Sequence, residues 1–188
     1  MQHFIDGDMA SFERLFERYR APIFAFIHRQ CPRVSMAEEL TQEVFMRVIR
    51  GASSFRAASR FSTWIYRIAR NQVVDNIRRQ RYRKYSSLEQ PSRNDGPPLG
   101  DRLPDTESDL DRRVLVNRLR NELDRAIADL PDNQKEVFLL REYSGLKFDE
   151  ISEIVGAKVG TVKSRMRYAL ESLQKSLSDY EDYARSLS

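Results

Sequence analysis

The sequence predicts an all-α protein, and three observations carry that reading. Apolar residues recur at helical spacing on both sides of the chain's middle, strand-type alternation is absent, and one stretch rich in proline and acid divides the rest in two. With 188 residues, 40% of them hydrophobic and 32% charged, the chain is long enough for one large domain or two small ones. No apolar run approaches the roughly 18–20 residues of a membrane span, and the first residues lack the basic-then-apolar order of a secretory signal. The expected setting is therefore cytoplasmic, without direct membrane insertion. One cysteine rules out an internal disulfide framework and any multi-cysteine metal site. Two histidines, His3 and His28, leave little material for metal ligation or a nucleophile triad. The chain is not expected to be an enzyme: no catalytic residue, metal, cofactor or small-molecule substrate is assigned.

The elements follow in order. Phe12, Leu15, Phe16 and Tyr19 stand at i, i+3, i+4 and i+7, and Leu40, Val44, Phe45, Val48 and Ile49 repeat the pattern. A third stripe runs through Phe61, Trp64, Ile65, Ile68, Ala69 and Val73 to Ile77. The stretch from Ser86 to Asp111 then holds four of the seven prolines, with Gly96 and Gly100, and reads as an extended acidic linker too long for an ordinary loop. Beyond it, Leu115, Leu119, Leu123, Ile127 and Leu130 space a helix that Pro131 stops, and Val137 to Leu140 form a further apolar group before Gly145. Phe148, Ile151 and Val155 space a short helix with Gly156 as its left-handed C-terminal residue. Gly160-Thr161 opens the last helix, striped by Val162, Met166, Ala169, Leu170, Leu173 and Leu177. The expected domains are residues 1–85 and 113–180, with a linker at 86–112 and a tail at 181–188.

Charge is distributed unevenly over that plan. The net charge is +4, yet residues 1–85 carry sixteen Lys/Arg against eight Asp/Glu, and residues 86–112 carry three against seven. Between Arg60 and Lys84 eight basic residues face one acid, Asp75, an excess suited to a polyanionic partner or to a solvated helix face.

The two helices flanking Gly156, each with an apolar stripe, fit a helix-turn-helix. The exposed face of the second offers Thr161, Lys163, Ser164, Arg165 and Arg167, donors for phosphates and base edges clustered where a recognition helix meets the major groove. A plain helical hairpin would show similar stripes; the small, polar and basic cluster at one end favours DNA.

These residues carry a resemblance. Gly160-Thr161-Val162-Lys163-Ser164-Arg165, after Phe148-Asp149-Glu150-Ile151 and the upstream run from Leu130 to Glu142, resembles region four of the extracytoplasmic-function sigma factors of bacterial RNA polymerase. Independently, the segment from Ala37 to Phe45 resembles the polymerase-binding helix of region two. Ser54-Phe55-Arg56, with the segment from Phe61 to Asn71, resembles its promoter-melting part. The resemblance runs from about Ala10 to Leu177, two motif sets in the family's order. It implies two helical domains that bind core RNA polymerase and promoter DNA, and it implies an anti-sigma factor as regulator, since the N-terminal extension that restrains larger relatives is not seen.

Carried onto this chain, the resemblance implies polymerase docking through Glu39, Leu40, Gln42, Glu43, Phe45 and Arg47. A solvated helix face is the plainer alternative, and a metal site from Glu38, Glu39 and Glu43 lacks a His or Asp partner. The segment from Gly51 to Arg60, with Ser54, Phe55, Arg56 and Arg60, would form a pocket for a base flipped from the non-template strand. Asn71 and Asp75 would face the unpaired strand, with Arg67, Arg70, Arg78 and Arg79 neutralising phosphates. Trp64 reads as core rather than as a stacking platform, while Tyr82 and Tyr85 suit stacking or a frayed helix end. Asp101, Asp105, Glu107, Asp109 and Asp111 would mimic a transcript in the polymerase channel, or simply keep a tether solvated. In the helix-turn-helix, Lys158, Gly160, Thr161, Lys163, Ser164, Arg165 and Arg167 would meet the upstream element. Departures fall at Lys158, where members often have proline or serine, and at Tyr168 and Leu170, where many have arginine. Cys31 reads as a small buried or half-buried apolar residue, with redox sensing as the sharper alternative, and His28 as helix surface. A free-standing regulator using only the helix-turn-helix would leave the N-terminal motifs unexplained, and a nucleic-acid enzyme would need a catalytic cluster that is not found.

Overall fold

The computed structural model describes residues 1–31, 33–55, 60–86 and 107–186, with side chains over 1–31, 33–55, 60–82 and 116–178. In order these form α1 (Gln2–Ile5), α2 (Met9–His28), α3 (Val34–Arg50), a 3-10 turn (Ala52–Ser54) and α4 (Phe61–Ser86). After the linker come α5 (Glu107–Asp129), α6 (Asp132–Phe138), a π-helical turn (Leu139–Tyr143), α7 (Phe148–Val155) and α8 (Val159–Ser186). There is no strand among the described residues, so the all-α expectation is met.

Local chemistry sets the helix ends. Asp8 caps α2, accepting from Ser11 N at 3.3 Å while the Ser11 hydroxyl donates to Oδ2 at 2.6 Å, and that hydroxyl holds the carboxyl below its ordinary pKa. Gly145 (φ 65°) and Gly156 (φ 66°) take left-handed conformations on either side of α7, where an L side chain would be strained. At the α7 C-terminus the amides of Gly156 and Ala157 both donate to Ser152 O, and the Ser152 hydroxyl donates to Ala157 O at 2.7 Å. At its N-terminus Glu150 accepts from the Lys147 amide at 2.8 Å. Pro131 ends α5, and its carbonyl accepts from the Gln134 and Lys135 amides to start α6.

Helix α5 starts at Glu107, so residues 107–112, expected within the linker, are helical. Pro104 is the last proline of that stretch, and Glu107 and Asp109 are well placed for a positive helix N-terminus. Asp101, Asp105, Tyr85 and Arg56 fall outside the described side chains, as do those of Glu107, Asp109 and Asp111.

Packing divides the chain into two compact units: Met1–Asp95 with Leu139–Val162, and Gly96–Phe138 with Lys163–Ser188. In the first, α2, α3 and α4 enclose Ile23, Phe26, Ile27, Ala37, Val44, Phe45, Val48, Ile65, Tyr66, Ala69 and Val73, all buried. Phe26 meets Tyr66 edge-on at 5.5 Å, and Phe16 meets Phe45 at 4.7 Å. Helix α7 packs along α4, and the π-helical turn packs on α2. The segment 139–162, expected within the C-terminal domain, is thus built into the N-terminal unit; Leu139, Leu140 and Ile151 are fully buried. In the second unit Ala126, Ile127, Leu130, Val137, Phe138, Met166, Ala169 and Leu173 are buried.

Three stripe residues are exposed among the described side chains: Ile49 and Leu119 at 41% each and Leu170 at 48%. Ile49 and Leu170 sit about 70° or more from the centre of the buried face of their helices, at about 100° of rotation per residue.

Candidate nucleic-acid interface

Helix α4 presents one long basic side. Arg67, Asn71 and Arg78 stand at i, i+4 and i+11, which aligns them within about 40° of one another. Asn71 and Arg78 are exposed and Arg67 is half-buried. Asp75 is half-buried a turn beyond Asn71. Arg70 is half-buried and held by other groups, and Arg79 is exposed but rotated about 100° from Arg78, off the stripe. Arg60, at the start of the same side, is ion-paired with Glu150 at 3.5 Å.

Beside this stripe an aromatic group closes the end of α4. Trp64 lies 5.3 Å from Phe55 and 5.9 Å from Phe61, and Phe61 meets Tyr19 at 5.2 Å. Trp64 is half-buried rather than a core residue. The turn before it is tight: Ser54 is exposed, and its hydroxyl donates to Gly51 O at 2.7 Å. A Cβ on Gly51 would stand 2.9 Å from Arg47 O and 3.5 Å from Trp64. Gly51→Ala should therefore cost on the order of 1–3 kcal/mol by forcing that turn outward. Urea melts of the two proteins measure it, and an unchanged midpoint would refute the crowding argument.

A second surface lies on α3. Glu39 and Gln42 are exposed as expected, but Phe45 is only 5% exposed against Phe16 and belongs to the core. Leu40 is half-buried. Glu43 and Arg47 are paired at 2.9 Å, and with its amide oxygen turned toward α3, buried Gln72 accepts from the same guanidinium at 2.7 Å. Arg47 therefore ties α3 to α4 and is not simply free for a partner. Met46, 44% exposed, sits in the middle of the Glu39/Gln42 face. The spacing signals it, since Met46 follows Glu39 by seven residues and lies about 20° from it.

On α8 the outward face differs from the expected set in one position. Thr161, Lys163, Ser164 and Arg167 are exposed, as are Lys158 and Gly160 before them, whereas Arg165 is half-buried. Arg165 follows buried Val162 by three residues and flanks the apolar stripe, about 60° from its axis. Tyr168 is 47% exposed on the polar face, with the Arg167 guanidinium 4.9 Å above its ring, and Arg167 also pairs with Glu171 at 3.6 Å.

Among the described residues no three His, Cys, Asp or Glu side chains group to hold a metal ion, and no helix is long and apolar enough to cross a membrane. Cys31 is half-buried; burial pushes its thiol up to about 11, which leaves little thiolate at neutral pH.

The chain matches the Sigma-70 region 2 family over residues 15–83 and the Sigma-70, region 4 family over residues 120–173. It is 32% identical over 173 residues to the ECF RNA polymerase sigma factor SigW of Bacillus subtilis, covering 92% of each chain. Over 167 residues it is 32% identical to the ECF RNA polymerase sigma-E factor of Escherichia coli, covering 89% of this chain and 86% of that one. The sigma factor RpoE from Bartonella quintana, solved in complex with the anti-sigma factor NepR, shares the fold with a TM-score of 0.71 at 24% identity, over 89% of this chain and 97% of that one.

Proposed function

We propose, for a chain that belongs to the extracytoplasmic-function sigma factors of the sigma-70 family, that it binds core RNA polymerase, directs it to its promoters and promotes strand opening there. The observation that carries this reading is the pairing of both family regions in one chain, each with an exposed face of matching chemistry. The α3 face of Glu39, Gln42 and Met46 docks on the polymerase. The α4 side of Arg60, Arg67, Asn71 and Arg78 takes the separated strand of the downstream element, phosphates on the guanidiniums and a base at Asn71. Thr161, Lys163, Ser164 and Arg167 of α8 read the upstream duplex.

The chain performs no catalysis of its own, since the bond-forming chemistry belongs to the polymerase, and it works where that polymerase is, in the cytoplasm. An anti-sigma factor controls its release, as the similar RpoE is bound by NepR. The division into residues 1–85 and 113–180 is the functional one, with the linker bridging the two promoter elements.

The test is a run-off assay on linear promoter templates with core polymerase alone and with the chain added. Specific transcripts are expected only in its presence. A gel shift by the chain alone, unaffected by core polymerase, would instead make it a free-standing regulator.

A further inference from the structure

We propose that buried Gln72, held from α3 by the Arg47 guanidinium, is a positioning residue that aims Asn71 at the separated strand. This rests on the reading of α4 as the surface for that strand.

Gln72 and Asn71 are neighbours in opposite surroundings. Asn71 is exposed on the basic side of α4, whereas Gln72 is 4% exposed and turned about 100° from it, toward α3. The Gln72 amide oxygen accepts from Arg47 Nε at 2.7 Å and from its two terminal nitrogens at 3.0 and 3.1 Å. The same Nε stands 2.9 Å from Glu43 Oε1, so the guanidinium is itself held on its own helix. Arg47 follows Met46 directly and therefore points about 100° away from the Met46 side of α3.

A polar contact at this place does what an apolar one does not. A leucine at 72 would also fill the join between α3 and α4, but apolar burial is non-directional. A hydrogen-bonded buried amide admits one arrangement of its neighbours and so fixes the rotation of α4 about its own axis. That rotation decides where Asn71 points. At the roughly 5–6 Å radius of a helix with its side chains, a turn of about 20° carries the Asn71 amide about 2 Å sideways. A binding constellation tolerates only about 0.5 Å and 10–20°.

Arg47 also anchors the other edge of the site. Its carbonyl accepts from the Gly51 amide at 2.8 Å, and the Gly51 carbonyl accepts from the Ser54 amide at 2.9 Å. The turn fixed in this way leads to Phe55, whose ring lies 5.3 Å from Trp64. Trp64 precedes Asn71 by seven residues and stands about 20° from it around α4. One residue of α3 thus ties down both the turn at Ser54 and the helix that carries Asn71.

The experiment uses the full chain with saturating core polymerase on a promoter that yields run-off transcripts. The open fraction is read as permanganate reactivity of unpaired thymines. Gln72→Leu should keep core binding and duplex binding and lower the open fraction about fivefold, since a misdirected hydrogen bond loses most of its strength. Arg47→Met removes the same contact from the other side. It should give a similar loss, and the double variant should lose less than about twofold beyond either single. Arg47→Lys keeps a donor for the amide oxygen and should hold the open fraction within about twofold of wild type. The decisive measurement places Gln72→Leu in the Asn71→Ala background. With no amide left to aim, it should lower the open fraction by less than about twofold further. Arg47→Met, at a side chain 46% exposed, repeats that comparison with the core undisturbed.

If both substitutions cost as much in the Asn71→Ala background as in wild type, Gln72 only supports the fold and the proposal is overturned. An unchanged open fraction in both single variants overturns it as well. If Asn71→Ala itself leaves strand opening intact, the reading of α4 is refuted, and the proposal with it.

Discussion

The double substitution Glu39→Lys with Met46→Asp is expected to abolish co-purification with core polymerase and to leave the helical unit folded. Both residues lie on the outward face of α3, Met46 44% exposed, away from the stripe of Ala37, Val44 and Val48 that is fully buried. Surface changes of this kind usually alter stability by no more than about 0.5 kcal/mol. At an interface the effect is larger, because an apolar anchor and its neighbouring charge are desolvated together. Losing two such residues at about 2 kcal/mol each would weaken binding roughly a thousandfold. Glu43 is a poorer probe although it shares this side of the helix. It pairs with Arg47, which reaches Gln72 on α4, so reversing Glu43 would disturb the α3–α4 join as well as the surface. Thermal melts separate the two causes. If the double variant keeps both its melting temperature and its polymerase, this face of α3 is not the docking surface.

Much of this was legible in the sequence because helical spacing reports burial directly. The stripes through Val44 and Val48, Ile65 and Ala69, and Val162 and Met166 are all buried as the spacing required. Gly156 is left-handed, as its place after Val155 implied. Exposure was least legible at the stripe edges. Phe45, Leu170 and Arg165 all lie near the edge of an apolar stripe, where residue type alone does not say which side wins. Phe45 went inward because Phe16 from α2 offers it a ring 4.7 Å away. Leu170 stayed 48% exposed, and Arg165 lost exposure beside Val162. Contacts between distant segments were not legible at all. Nothing in the spacing of Phe148, Ile151 and Val155 says that their helix packs on α4, or that Glu150 meets a residue ninety positions away.

The two promoter elements should respond differently to strand separation. Lys163 and Arg167 stand exposed on α8, and their contribution is phosphate neutralisation with at most a base contact beside it. Replacing both by alanine should weaken binding of the polymerase complex to duplex promoter and lower its salt slope by about two. Arg167 spends part of its time on Glu171, at 3.6 Å, but an exposed pair of this kind holds it by less than about 1 kcal/mol. Asn71 acts on a base that is already unpaired. Asn71→Ala should leave duplex binding nearly intact and reduce the open fraction, read as permanganate reactivity of unpaired thymines, about tenfold, since a hydrogen-bonded base contact is worth about 1–3 kcal/mol. Supplying a pre-melted bubble removes the cost of opening but not the loss of the contact. It should therefore rescue Asn71→Ala only in part, and it should leave the Lys163→Ala/Arg167→Ala defect where it was, because that defect lies in the duplex. Equal responses of the two variants to pre-melting would mean that α4 and α8 do not divide the promoter between them.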